Sequence, residues 1–227
     1  MAQAIARALL RSRTMLWVCI GGAAQLVVVS ALWSWLPSFL HRAHGVAPGA
    51  AGVKAALVVL AGAAGAVLWG AVVDRAGIAK PRRRFLAMAL LCLASMVVLV
   101  LAFGLALAPA PQFALIAVGG FLATCTVGPV SAIVIDVVHP GVRATGSSVL
   151  ALFQNLFGLA AGPFLAGMLY DLLLSLQHAL MLIPLFSVLA ALALLWATRS
   201  YETDLQRARE VADSAETVPD AAQQAYA

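Results

Sequence analysis

Residues 70–84 read "GAVVDRAGIAKPRRR". Asp74, Arg75, Lys80, Arg82, Arg83 and Arg84 stand together here, between two stretches almost free of charge. The segment holds five of the chain's 14 Lys and Arg residues. Why so apolar a chain gathers its cations at this point decides the fold. Of 227 residues, 63% are hydrophobic and 10% charged, and the mean hydropathy is +1.00. Soluble domains are about 45–50% apolar and about 25% charged. The composition therefore places the chain in a bilayer.

A spanning helix needs about 20 predominantly apolar residues. Six stretches qualify, over residues 14–40, 50–73, 85–107, 112–138, 144–170 and 178–198. They are long and rich in Ala and Leu, unlike the ten-residue alternating strands of a membrane barrel. Residues 1–13 form a basic leading segment ahead of a run too long for a signal peptide. Residues 200–227 form a hydrophilic tail, expected to be disordered. With both termini on one side, that side receives 12 of the 14 cations: Arg7, Arg11, Arg13, the five of 75–84, Arg143, Arg199, Arg207 and Arg209. Arg42 and Lys54 fall on the other. By the positive-inside rule both termini, and the 70–84 loop, are cytoplasmic. The same rule accounts for the sequence pI of about 9.6 without nucleic acid as a partner. Cys19, Cys92 and Cys125 lie singly in apolar runs and read as small apolar fillers. The connections "APAP" (108–111) and "HPGVR" (139–143) are short, so sequential spans are antiparallel neighbours.

The loop holds more than charge. It reads G-x-x-x-D-R-x-G. Gly62, Ala66 and Gly70 recur every four residues, a face another helix can approach closely. Asp74 follows on that face, where it can meet the positive N-terminus of a neighbouring helix. Gly77 suits a reversal after a helix end. Arg82 to Arg84 lie at the level of anionic lipid headgroups.

In Gly70, Asp74, Arg75 and Gly77 the chain resembles the major facilitator superfamily, whose signature loop between the second and third helices of a half has this pattern. Here "IAKP" separates the second glycine from the basic run. A second stretch supports the resemblance. Residues 129–171 place Asp136 near a helix end, then Pro140, then Arg143 and Thr145 opening the next helix, similar to the family's tenth-to-eleventh junction. "GLAAGPFLAG", with Gly158, Gly162, Pro163 and Gly167, looks like its Gly-Pro helix. "VHPGVRATG" and "QNLFGLAAGP" are similar to the spinster-like and organic-anion branches. The resemblance covers nearly all of residues 14–200. It implies an all-α membrane protein of six transmembrane helices, the C-terminal half of a twelve-helix transporter, built as an inverted 3+3 repeat.

The resemblance assigns roles to residues. Gly70, Asp74, Arg75, Gly77, Arg82 and Arg83 would form a cytoplasmic gate, against the simpler reading of a topology anchor. Asp136 and Arg143 would add a second gate contact. Gln25, Gln154 and Asn155 lie at mid-span, where unpaired amides are costly; they read as cavity lining or as interhelical hydrogen bonds. Gly158, Gly162, Pro163 and Gly167 read as helix packing and bending. Thr124, Thr126 and Ser131 read as bonds to their own helix backbone. Trp33 and Trp35 suit an interfacial belt, beside His41, Arg42 and His44, and Lys54 a snorkelling cation. Asp136 with His139 offers too few ligands for a metal. No metal or cofactor is expected. His139 and His178 sit at span ends and no G-x-S-x-G occurs, which argues against an intramembrane protease and against an enzyme.

The implied function is secondary transport of a small organic solute by alternating access, as symport or antiport. The coupling ion would be a proton or sodium. The partners are the lipid bilayer and a second six-helix half, as a separate chain, a missing N-terminal half or a second copy. The alternative is a non-transporting subunit or an inactive truncated half. No carboxylate lies at mid-depth, so a proton-coupling group would belong to the other half. The Ala-rich, Arg-over-Lys composition suits a GC-rich bacterial genome, and the expected location is the inner membrane.

Overall fold

Proline opens three of the six spans. Pro48, Pro81 and Pro109 each sit in the first helical turn, where the missing N–H would have no intrahelical partner and the fixed φ suits the helix. The computed structural model describes residues 12–138 and 140–224. Among them six helices are long and apolar enough to cross a membrane, and there is no strand.

The first span is α1 (Arg13–His44), the second α2 (Pro48–Ala79) and the third α3 (Pro81–Gly104). The fourth is α4 (Pro109–Ala123) and α5 (Val127–Val137), joined by a 3-10 turn at Thr124–Thr126. The fifth is α6 (Arg143–Gln154) and α7 (Ala161–Leu173), joined by a π-helical stretch at Asn155–Ala160. The sixth is α8 (Leu176–Leu182) and α9 (Phe186–Gln224), with a 3-10 turn between.

Several boundaries differ from those expected. The second span does not reverse at Gly77. It runs on to Ala79 and stops because Pro81 forces the preceding residue out of the helical region; Lys80 is extended at φ −152°, ψ 122°. The third span consequently begins at Pro81 and takes Arg82 to Arg84 into its first turn. "APAP" is mostly the start of a helix, and the true connection is Leu105–Ala108. The last helix continues to Gln224, through Pro219, in the stretch expected to be disordered. Residues 1–11 of the leading segment, and His139, lie outside the described residues.

The first span is the axle. Of its apolar window 78% is buried, against 22% in the second and fifth spans. It ends in a left-handed cap, Gly45 at φ 64°, with Gly45 N–H bonding His41 O and Val46 N–H bonding Leu40 O. Around it lie two apolar cores. One, at the end that carries both termini, holds Met15, Phe85, Val137, Leu150 and Tyr201. The other, toward the opposite end, holds Leu36, Phe39, Phe103, Ile116 and Leu180, with Phe39 and Phe103 edge to face at 5.1 Å.

Between them lies a polar layer. The 3-10 turn of the fourth span breaks its α-helical ladder, and side chains from other spans reach the carbonyls beside it. Gln25 Nε2 donates to Ala123 O at 3.1 Å and to Ser95 Oγ at 3.2 Å. Trp69 Nε1 donates to Phe121 O at 3.1 Å. Thr124 Oγ1 donates to Gly62 O at 2.8 Å. In a bilayer, irregular backbone persists only when buried and satisfied in this way.

Candidate functional site

Asp74 lies near the end of α2, Arg84 in the first turn of α3, Asp136 in the last turn of α5, and Tyr201 on α9. The fold gathers all four. Arg84 Nη2 donates to Asp74 Oδ1 at 2.8 Å, and Nη1 donates to Asp136 Oδ2 at 3.0 Å. The Tyr201 hydroxyl donates to the same Asp136 oxygen at 3.4 Å. The Tyr201 ring packs on Phe85 at 5.2 Å, so the cluster rests on the apolar core below. The Arg84 side chain is 16% exposed, and those of Asp74 and Asp136 are 55% and 40% exposed.

The arrangement runs against local electrostatics. A helix C-terminus disfavours carboxylates and an N-terminus disfavours cations. Asp136 sits in the last turn of α5 and Arg84 in the first turn of α3, whereas Asp74 lies five residues before the end of α2. What holds the three is their mutual attraction, worth about 0–1 kcal/mol per half-exposed pair. Such a cluster fastens three helix ends reversibly.

Gly77 has a different task from the one expected. A Cβ at Gly77 would collide with Cγ and Cδ of Arg84. The glycine is a notch through which the arginine stem passes to both carboxylates. Gly70 faces open space, with no atom within 4 Å of a Cβ built there. The close-packed face of the second span is carried instead by Gly62, against Trp33 and Thr124, and by Gly65, against the Phe121 carbonyl. Arg75, Arg82 and Arg83 are exposed and form no ion pair among the described residues. Arg143 is also exposed, and Asp136 does not meet it: the carboxylate turns to Arg84 instead. Arg84, expected among lipid headgroups, is the hub. Hydropathy gives no sign of it. Its position in the first turn after Pro81 is shared with Arg82 and Arg83 and does not single it out.

The mid-span amides separate. Gln25 is fully buried between the first, third and fourth spans, and serves the polar layer rather than a cavity; its Oε1 has no hydrogen-bond partner among the described residues. Gln154 is half-buried beside Gly22. Asn155 is exposed at the start of the π-helical stretch, its Nδ2 donating to Ala151 O at 2.7 Å. Gly158, Gly162 and Gly167 receive the first span: Leu26 lies against Gly158, Ser30 against Gly162 and Trp35 against Gly167. Ser30 Oγ donates to Gly158 O at 3.1 Å, and Trp35 Nε1 to Pro163 O at 3.0 Å. Among the described residues no group of three His, Cys, Asp or Glu side chains could hold a metal ion.

At the opposite end, Arg42 donates to the Tyr170 hydroxyl at 2.8 Å, and His44 Nε2 is bonded to Gln112 Oε1 at 2.6 Å. Lys54 lies over the Phe113 ring at 5.7 Å. A further cluster, not read from sequence, joins the chain's two ends. Asp204 Oδ2 accepts from the Thr14 N–H at 2.9 Å and from Ser12 Oγ at 3.0 Å.

A family model described as Major Facilitator Superfamily matches residues 18–222. No curated protein matches the chain. Two crystal structures of a bacterial homolog to the human lysosomal transporter Spinster are similar in fold. The inward-facing, unoccupied form is 21% identical, with a TM-score of 0.75 over 88% of this chain and 50% of that one. The inward-facing, occupied form is 20% identical, with a TM-score of 0.71 over 85% of this chain and 50% of that one. The chain thus spans half the length of these neighbours.

Proposed function

The chain belongs to the major facilitator superfamily, and from that premise we propose that it forms one half of a secondary transporter for a small organic solute. The observation that carries this reading is the fifth span. It buries 22% of its apolar window, and its uncovered surface carries large apolar side chains, Leu152, Phe164 and Leu172 among them, together with Asn155 at mid-span. So bare a span, with an amide where contact with hydrocarbon is costly, suits a face shared with a second six-helix half. The second span, equally bare, suits the same partner.

In this reading both termini are cytoplasmic and the membrane is a bacterial inner membrane. The Asp74–Arg84–Asp136 cluster works at the cytoplasmic gate, where small rearrangements of helix ends accompany alternating access. Coupling to a proton or sodium ion would draw on the other half. Radiolabelled uptake by proteoliposomes of the purified chain, over a panel of organic anions, cations and amphipathic solutes, tests it. Flux above empty vesicles supports transport by an assembly of copies. No flux with any solute, alone or with a co-expressed N-terminal half, overturns the reading and favours a non-transporting subunit.

A further inference from the structure

Where the first and sixth spans meet, at the end carrying both termini, two tryptophans and two arginines form a surface no other part of the protein uses. Trp17 and Trp196 face each other with ring centroids 5.7 Å apart, tilted by 35°. Arg199 lies over the Trp196 ring, its Cζ 4.4 Å from the centroid. Arg13 stands one turn before Trp17. The Thr14 hydroxyl donates to Ser200 Oγ at 3.0 Å; since Arg13 and Arg199 adjoin these residues in sequence, that bond fixes both arginines at one level. Both are exposed, and neither forms an ion pair among the described residues. Glu202, three residues beyond Arg199, forms none either. Away from that level, Leu16, Leu189, Leu192 and Leu195 continue the surface as an exposed apolar stripe.

We propose that Arg13, Trp17, Trp196 and Arg199 bind the headgroup of an anionic phospholipid. The chemistry is divided as a phospholipid divides it. The guanidinium groups supply N–H donors and positive charge to a phosphate. The indoles sit at the interfacial level they favour. The leucine stripe receives an acyl chain, which a free phosphate lacks. An interfacial belt or the positive-inside rule would place such residues at this depth, but neither stacks an arginine on one of two paired indoles. Two cations without a carboxylate partner disfavour a zwitterionic headgroup, whose ammonium would have to meet them.

The test uses the full chain in phosphatidylcholine vesicles carrying a minor fraction of brominated phosphatidylglycerol or brominated phosphatidylcholine, with quenching of tryptophan fluorescence as the readout. The wild-type chain should prefer the anionic lipid by about fivefold for each arginine. R13Q/R199Q should bring the preference close to unity, and W196F should remove most of the quenching difference. R82Q/R83Q, at the same end, should lower it clearly less than R13Q/R199Q does. Equal quenching by both lipids in the wild-type chain overturns the proposal. So does an equal loss in R82Q/R83Q, which would show a diffuse positive field. An unchanged emission maximum in phosphatidylcholine confirms that each variant is folded.

Discussion

Two charged clusters sit at the same end of the bundle and are built on opposite principles. At Asp204 a buried carboxylate, 7% exposed, caps the N-terminus of the first span. The helix dipole favours it there, it receives a backbone N–H and a hydroxyl, and exposed Arg207 stands 3.9 Å from its other oxygen. At Arg84 the arginine and Asp136 stand against their helix dipoles, more than a third of each carboxylate side chain is exposed, and one arginine holds two partners. The first cluster holds wherever the helices hold. The second holds only while three helix ends keep their spacing. In the transporter reading proposed above, the second is the part suited to move, and the first to stay.

The largest effect separates them on stability. Asp204→Ala leaves the Thr14 N–H and the Ser12 hydroxyl without their acceptor and should cost about 2 kcal/mol. Unfolding in detergent can be followed with a thiol-reactive fluorophore, because Cys19, Cys92 and Cys125 are all buried. Arg84→Gln should cost less, about 1 kcal/mol, and its cost should shrink in 1 M salt, where the screening length falls to about 3 Å. The Asp204→Ala cost should respond less, because only its long contact with exposed Arg207 is open to screening. If both costs fell equally with salt, the two clusters would not differ in kind.

The spans were legible because hydropathy is a property of each segment alone, and runs of about 20 apolar residues admit few other structures. The turns were legible in part. Pro81 marks a boundary that Gly77 seemed to mark, because a glycine in a loop-like motif serves a close contact as readily as a reversal. Arg84 was not legible. It binds Asp136, which is 52 residues away, and nothing local tells it from Arg82 or Arg83. Asp204 and Thr14 lie 190 residues apart. Gln25 looked the same as Asn155 in sequence, a mid-span amide. Its burial depends on the 3-10 turn of the fourth span, which only tertiary packing exposes.

Gly77→Ala probes the notch directly. The added methyl would overlap the arginine stem, so Arg84 must withdraw from one carboxylate or the helices must part. The expected loss is about 0.5–1 kcal/mol, and it should vanish in the Arg84→Ala background, which lacks the Cγ and Cδ that the methyl would meet. A double-mutant cycle reads this as coupling. Additive losses would mean that Gly77 serves α2 itself and not the cluster.

The smallest effect is the most discriminating about Asp136. The residue pattern pairs this carboxylate with Arg143, and the fold pairs it with Arg84. Arg143 is exposed and opens α6, where a cation opposes the helix dipole. Arg143→Gln should therefore change stability by less than about 0.5 kcal/mol, and with Asp136→Asn it should show no coupling. Arg84→Gln and Asp136→Asn should couple by about 1 kcal/mol. Coupling of Asp136 to Arg143 at that level would mean that the carboxylate changes partner, which would make it a moving part of the proposed gate and Arg84 one of two alternative anchors.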